Sequence, residues 1–392
     1  MAKKKKVVLA YSGGLDTSVI IRWLMERDYE VICYMGDVGQ GSDNETARRR
    51  SLEIGAAKCE VADLKEKFIK DYAFRALKAG ALYQGKYNLA TALSRPIIAE
   101  AMADFAKREK ADAVAHGCTG KGNDQVRFEV TFQLKAPGLK IIAPVREWEL
   151  TTRESEIDYA KKHGVPIEQT KKKVFSIDKN LWGISVEGGK LEDPWAEPGK
   201  DTYISIVPPE NAPAAARHIT VSFKKGVPVA INGKKYGPVE LVRRLSETGG
   251  RHGIGRVDMV EDRLVGIKSR EIYEAPASAI LYAAHTALEE LILDRETRRY
   301  KRLISGIYSE LIYNGLWFTP LREIIDASVD KMQENVSGDV KLKLYKGNVS
   351  VSGRKSPMSR YRMKLATYGE GDVFDQSLAK GFIDLWAMPY KS

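Results

Sequence analysis

Between an apolar run, Lys6-Val-Val-Leu-Ala-Tyr11, and an amphipathic one, Leu15 to Glu26, stand only three residues, Ser12-Gly13-Gly14. A chain that passes this abruptly from strand to helix has few folds open to it. The two glycines let the backbone turn tightly and bring N–H groups close to an anion. Ser12, Thr17 and Ser18 add hydroxyl donors, and the helix start adds the positive end of its dipole. The stretch Ala10-Tyr11-Ser12-Gly13-Gly14-Leu15-Asp16-Thr17-Ser18 therefore predicts a phosphate-binding strand–turn–helix of the kind found in α/β folds. The plainer alternative is a sharp turn with Ser12 capping the helix. The turn has neither the lysine of GxxxxGK[ST] nor a GxGxxG pattern, so it does not announce γ-phosphoryl transfer or dinucleotide binding. Asp16 is an acid beside an anion site. It either helps organise Mg²⁺ on the phosphates or favours the helix N-terminus electrostatically.

The alternation continues. Glu30–Met35 and Ala57–Val61 read as strands, and Leu15, Val19 and Trp23 recur at helical spacing. Asp63 with Glu66 suggests a capping box for a helix that runs to Ala79, with Gly80 as its C′ residue. Pro96 is expected to open another helix. Strands at Asp112–His116 and Lys140–Pro144 complete a Rossmann-like α/β domain with a parallel sheet, residues 1–165. From 166 to 215 the chain is rich in Pro, Gly and polar residues. A hairpin, His218–Phe223 with Val227–Ile231, then a strand-like stretch Arg256–Ser269, long helices over Pro276–Met332 and a last hairpin around Lys346-Gly347 indicate an α+β domain over 166–365. A C-terminal tail, 366–392, contains a further helix.

Composition limits the partners. Of 392 residues, 63 are Lys or Arg and 52 are Asp or Glu, a net charge of +11, four of it in the run Lys3–Lys6. That raises nucleic acid as a partner, but the remaining lysines are scattered rather than gathered in a stripe between aromatics, so none is expected. Cys33, Cys59 and Cys118 are too sparse for a disulfide framework or a Cys-rich zinc site, and no apolar run reaches the roughly 20 residues that span a bilayer. A cytoplasmic protein without a membrane partner is expected, and no protein metal centre.

The turn resembles the SGGxDS loop of the ATP pyrophosphatases, which split ATP between the α- and β-phosphates. Its position at Ser12 leaves no room for a preceding glutaminase domain, and no paired cysteines suggest thiolation, so an amine supplied directly is the expected nitrogen donor. Two further blocks narrow the resemblance: His116-Gly-Cys-Thr-Gly-Lys-Gly-Asn-Asp-Gln-Val-Arg-Phe-Glu129, and Gly249-Gly-Arg-His-Gly-Ile-Gly-Arg-Val-Asp258 followed by Lys268-Ser-Arg270 and Tyr273-Glu-Ala-Pro276. With the turn, these resemble the argininosuccinate synthase family over nearly the whole chain. The resemblance implies a synthetase and multimerisation role for the second domain, a homotetramer, and ATP with Mg²⁺. It also implies a ligation: citrulline is adenylated on its ureido oxygen, and the amine of aspartate then displaces AMP.

Carried over by position, the resemblance puts ATP on Ala10 to Ser18, Gly36 and Gly117, with Gly36 a place where a side chain would crowd adenine. It puts aspartate on Thr119, Asn123 and Asp124, and citrulline on Tyr87, Asn123, Arg127, Ser176, Ser185, Glu261 and Tyr273. Asp16, Asp124 and Arg127 become the catalytic candidates. Arg127 offers a planar fork to a carboxylate and Asp124 an anion to an ammonium. The family commonly has Ser where this chain has Ala92, so one citrulline contact is in question, with Thr91 adjacent. His116 is a candidate proton acceptor or simply a structural histidine. Two rival readings are a tRNA-modifying pyrophosphatase such as a lysidine synthetase, and a non-enzymatic nucleotide-binding module.

Overall fold

The computed structural model describes residues 4–41, 43–166 and 175–391. Five parallel strands, Lys5–Ala10 (β1), Tyr29–Asp37 (β2), Lys58–Asp63 (β3), Ala113–Ala115 (β4) and Lys140–Ile142 (β5), form a sheet in the order β3-β2-β1-β4-β5. The order reverses between β1 and β4, and at such a switch point the loops after neighbouring strands part and leave a crevice. The first strand claims part of the lysine run: Lys5 and Lys6 pair in register with Tyr29 and Glu30, so they are not a free tail. Lys3 lies outside the described residues.

Nine further strands build two antiparallel sheets. Ser176–Asn180 (β6), Gly183–Glu187 (β7), Arg256–Asp262 (β11) and Lys268–Glu274 (β12) give the order β11-β12-β7-β6. Arg217–Lys224 (β8), Val227–Ile231 (β9), Lys234–Lys235 (β10), Gly338–Tyr345 (β13) and Asn348–Lys355 (β14) give β10-β9-β8-β13-β14. Helices Pro238–Arg251 and Pro276–Ile292 pack with this second sheet, and Arg295–Tyr313 and Pro320–Gln333 reach back to the segment 68–79. One apolar core runs from Val8 and Ile32 through Leu93 and Trp317 to Leu344, so it crosses from the first domain into the second.

Several expectations change. Pro96 does not open a helix. It is the seventh residue of Ala90–Arg108, whose start is set elsewhere: Leu89 takes a left-handed conformation (φ 63°) and the Tyr87 hydroxyl accepts the N–H groups of Thr91 at 3.0 Å and Ala92 at 3.3 Å. The helix expected over 63–79 is broken by a π-helical stretch, Phe68–Ala73. Asp63 is still in β3 and accepts from the Lys65 N–H, with Leu64 rather than Asp63 at the cap and no capping box to Glu66. Gly80 does close that segment in the left-handed conformation (φ 70°). The strand-like stretch 256–269 covers β11, the turn after it and the first two residues of β12, with which β11 pairs antiparallel. The stretch 166–215 holds the hairpin β6–β7.

That hairpin joins the domains. Asn180 donates to the Ala90 carbonyl (3.0 Å) while its own side-chain oxygen accepts from the N–H groups of Trp182 (2.8 Å) and Gly183 (3.2 Å). Trp182 Nε1 donates to the Asn88 carbonyl (3.1 Å), Asn88 returns a bond to the Trp182 carbonyl (2.9 Å), and Leu181 N–H reaches Val38 (3.0 Å). All three of Asn88, Asn180 and Trp182 are buried. Trp182→Ala would leave a large void and is expected to destabilise the protein by about 3–5 kcal/mol. Urea unfolding measures this, and a midpoint equal to the parent's would show that the domains are joined elsewhere.

Candidate active site

A cleft of about 550 Å³ opens where the loops after β1, β2 and β4 face the sheet β11-β12-β7-β6. Ala10, Tyr11, Ser12, Asp16, Thr17, Gly36 and Gly117 line it on one side. Thr119, Asn123, Asp124, Arg127, Tyr87, Ser176, Ser185, Glu261 and Tyr273 complete the wall. Gly13, Gly14, Leu15 and Ser18 are not among its lining residues.

The turn is prepared by hydroxyl pairs. Ser12 Oγ lies 3.1 Å from Thr17 Oγ1, and Tyr11 Oη lies 3.2 Å from Ser18 Oγ. Helix Leu15–Met25 has no side-chain cap at its start, so the first-turn N–H groups remain for an anion. The steric constraint sits at Gly13, which has φ +77° and whose Cβ would stand 2.9 Å from that of Ala47. Its carbonyl accepts from Arg50 at 3.0 Å. Gly14 is in an ordinary extended conformation and a Cβ there would meet only Ser12 Oγ, at 3.3 Å. Gly36 is confined by protein: a Cβ would lie 2.9 Å from Ile98 and 3.0 Å from Leu64. Gly117 packs the same way against Ile20 and Thr17.

Asp16 faces Glu156 of helix Arg153–Lys162. Burial, then the Asp16 charge, pushes the Glu156 carboxyl up to about 8, and among the described residues its Oε2 is buried without a hydrogen-bond partner. Two carboxyls so close repel one another, and a cation near them would relieve that repulsion.

The opposite wall comes from strand alternation. Ser176 and Asp178 on β6, Ser185 and Glu187 on β7, and Glu271 and Tyr273 on β12 are spaced by two and so share one face. Ser185 is in register with both Asp178 and Tyr273. Tyr273 stacks on Tyr87, ring centres 4.0 Å apart, and donates to Glu261 at 2.5 Å. Tyr313 donates to the other oxygen of Glu261 at 2.6 Å and accepts from Asn123 Nδ2 at 2.8 Å. Asn123 Oδ1 accepts from the Leu264 N–H at 3.0 Å. Arg127 donates through Nε to the Tyr313 carbonyl (3.0 Å) and through Nη1 to Asp124 (2.9 Å), which leaves Nη2 for a ligand. Burial would raise the Asp124 carboxyl, but Arg95 and Arg127 outweigh it and hold it below its usual range. Glu187 and Glu271 share the single cation Arg263. Burial, then Glu187 and Glu261, pushes Glu271 up to about 9 against the pull of Arg263.

His116 has both ring nitrogens engaged. Cys118 N–H donates to Nδ1 at 3.2 Å, which puts the proton on Nε2, 3.0 Å from Glu129. That arrangement orients a structural histidine and gives no base. Ala92 is fully buried and does not line the cleft; Thr91 does, with Oγ1 3.4 Å from Ser185 Oγ. The sequence reading missed Arg95, Asp178, Glu187, Arg263 and Glu271, which also line the cleft. Glu187 and Glu271 stand two residues from Ser185 and Tyr273, so recognising β7 as a strand and carrying the strand at 256–269 on through Glu274 would have found both. Arg95 gives no signal in sequence.

Because Gly13 carries the strain, Gly13→Ala is expected to weaken ATP binding at least about tenfold, since a left-handed alanine costs about 1–2 kcal/mol before any clash. Gly14→Ala should change it little. Calorimetric titration with ATP compares them, and equal losses would contradict this division.

Comparison with known proteins gives the family. Residues 6–166 match the model of the arginosuccinate synthase N-terminal HUP domain, and residues 175–392 that of the arginosuccinate synthase C-terminal domain. The argininosuccinate synthase of Caldanaerobacter subterraneus subsp. tengcongensis is 53% identical over 392 residues, covering 100% of this chain and 96% of the relative. That of Carboxydothermus hydrogenoformans is 54% identical over 388 residues (99% and 97%), and that of Chlorobium luteolum 51% over 391 (100% and 98%). With both halves matched and such identity along its full length, the chain belongs to the argininosuccinate synthase family of ATP-dependent ligases.

Proposed function

We propose that the cleft carries out the ligation of citrulline and aspartate with the division of labour that follows. The observation that carries it is the meeting, in one cleft, of an uncapped phosphate turn, an Arg–Asp pair and an acid-rich sheet face. ATP lies with its β- and γ-phosphates on the backbone of residues 12–15 and the hydroxyls of Ser12 and Thr17. Citrulline places its carboxylate toward Arg127 Nη2 and its ammonium toward Glu261, while Ser176, Ser185 and Tyr87 face its chain. The ureido oxygen attacks the α-phosphorus, the bond to the β-phosphate oxygen breaks, and pyrophosphate leaves along the turn. Aspartate, its carboxylates near Thr119 and its amine near Asp124, then attacks the ureido carbon. The C–O bond to AMP breaks, the electron pair leaves with the AMP oxygen, and the amine gives up its proton. Most of the rate comes from holding three substrates in line and from charge placed around the phosphate.

The residues present fit Mg²⁺: Asp16 and Glu156 are the carboxylates that would hold it, and bound there it would offset phosphate charge. With no cation between them, burial and then the repulsion of the two carboxyls push Glu156 up to about 8; a bound cation would offset that repulsion.

The assay is pyrophosphate release from MgATP with citrulline and aspartate given singly and together. Release that needs both amino acids is expected for net turnover. Release that depends on tRNA, or none, would overturn the reading.

We also propose a homotetramer. Its support is the C-terminal arm, where Leu378, Phe382, Ile383, Leu385 and Trp386 are each at least 60% exposed in a single chain, as are Leu303 and Ile324 on the helices 295–313 and 320–333. Apolar surface gathered in this way marks an association face. Removing residues 366–392 should reduce the particle seen by sedimentation below a tetramer. A tetramer that persists, or a monomeric parent, would contradict the role of the arm.

A further inference from the structure

Among the described residues that line the cleft, Arg95 is the guanidinium that pairs with a carboxylate from each domain, Asp124 of the first and Asp178 of the second. It projects from helix Ala90–Arg108. Nε donates to Asp124 Oδ2 at 2.8 Å, Nη1 to Ser94 Oγ at 3.2 Å, and Nη2 to Asp178 Oδ2. Arg127 Nη1 takes the other Asp124 oxygen at 2.9 Å. Charge therefore alternates along a row, Asp178–Arg95–Asp124–Arg127, from β6 in the second domain to the first turn of helix Asp124–Lys135.

We propose that Arg95 is a positioning residue for the amine-attack half of the reaction, holding Asp124 as an ionised anchor for the incoming ammonium and tying that anchor to the sheet that carries citrulline. This rests on the functional reading above. The physical argument has three parts. First, Asp124 is half-buried in the cleft wall, and a carboxylate partly removed from water keeps its charge more readily while cations face it. The groups that face it are Arg95 from the helix before, Arg127 from its own helix and the Cys118 thiol from the preceding loop, which burial and then Asp124 push up to about 12 and so keep uncharged. Without Arg95, Arg127 alone would balance Asp124, and Asp178 would lose its cation as well. Second, a carboxylate shared by two guanidiniums is a weak base. It can orient the ammonium of aspartate but will not take its proton, so anchoring and deprotonation are separate tasks. Third, the fork of Arg95 holds β6 and Asp124 at a fixed separation, and the amine and the ureido carbon must meet across that separation.

The test separates the two half-reactions in the full-length protein. Citrulline-dependent exchange of labelled pyrophosphate into ATP, without aspartate, reports adenylation, and argininosuccinate formation reports the whole. For Arg95→Gln, kcat/KM for aspartate should fall about 30-fold or more, as for loss of a charged hydrogen bond, with a much smaller loss in exchange. The acid limb of the aspartate kcat/KM profile should move to higher pH, because Asp124 must be ionised to bind and loses one of the cations that keep it so. Arg95→Lys, which keeps the charge without the fork, should return the limb toward its parental position and restore only part of the rate. Equal losses in both half-reactions, or an unmoved acid limb, would overturn the proposal. Should Arg95→Gln fail to fold, Asp178→Asn releases only the far end of the row. It should cost the aspartate step more than exchange, and an equal cost to both overturns the proposal in the same way. A parent chain with no citrulline-dependent exchange would refute the functional reading itself, whatever Arg95 does.

Discussion

The architecture turns on a four-residue plug. Asn180-Leu-Trp-Gly183 enters the first domain and exchanges buried hydrogen bonds with Asn88, Ala90 and Val38. Backbone groups buried at a domain boundary need partners or they oppose closure, and here each side supplies what the other lacks. The plug holds the β6–β7 hairpin, the hairpin carries β12 and β11, and those strands present the side chains that face the phosphate turn. The plug acts with the apolar core that crosses the domain boundary to hold the two walls of the cleft together.

Within the cleft the charges are already matched with one another. Asp124 lies between two arginines, Glu261 receives two tyrosine hydroxyls, and Arg263 serves two glutamates. Substrates therefore enter by exchanging partners rather than by meeting bare charge. Pairs of this kind cost desolvation whenever the cleft is closed, and their geometry explains why the groups stay fixed before any ligand arrives. On the sheet face, burial and the neighbouring carboxylates hold Glu271 up to about 9, so at neutral pH that face carries less negative charge than its number of acids suggests.

Much of this was legible in the sequence where local rules dominate. A strand, two glycines and an amphipathic helix leave little choice, and Gly80, the hairpin turns at Lys225-Gly226 and Lys346-Gly347, and the alternating first domain follow from the same chemistry. The failures come where distant contacts decide. Pro96 sits inside a helix because Tyr87, five residues before Ala92, supplies the cap that Pro was expected to mark. The hairpin β6–β7 hides in a polar, glycine-rich stretch because its burial comes from another domain. Arg95 has no periodicity to betray it, since its partners lie 29 and 83 residues away. Family resemblance supplied site positions, but it did not reveal that Gly36 is hemmed in by Ile98 and Leu64.

The Tyr87 cap has a consequence for discrimination among ligands. A phenol oxygen offers two lone pairs and one proton, and both lone pairs are taken up by the N–H groups of Thr91 and Ala92. Toward the cleft the hydroxyl can only donate. A neutral urea-type oxygen satisfies it, whereas a guanidinium, which carries donors alone, leaves two donors facing each other in a confined space. The helix start thus makes the Tyr87 hydroxyl a donor alone toward the cleft, matched to an acceptor and not to a second donor.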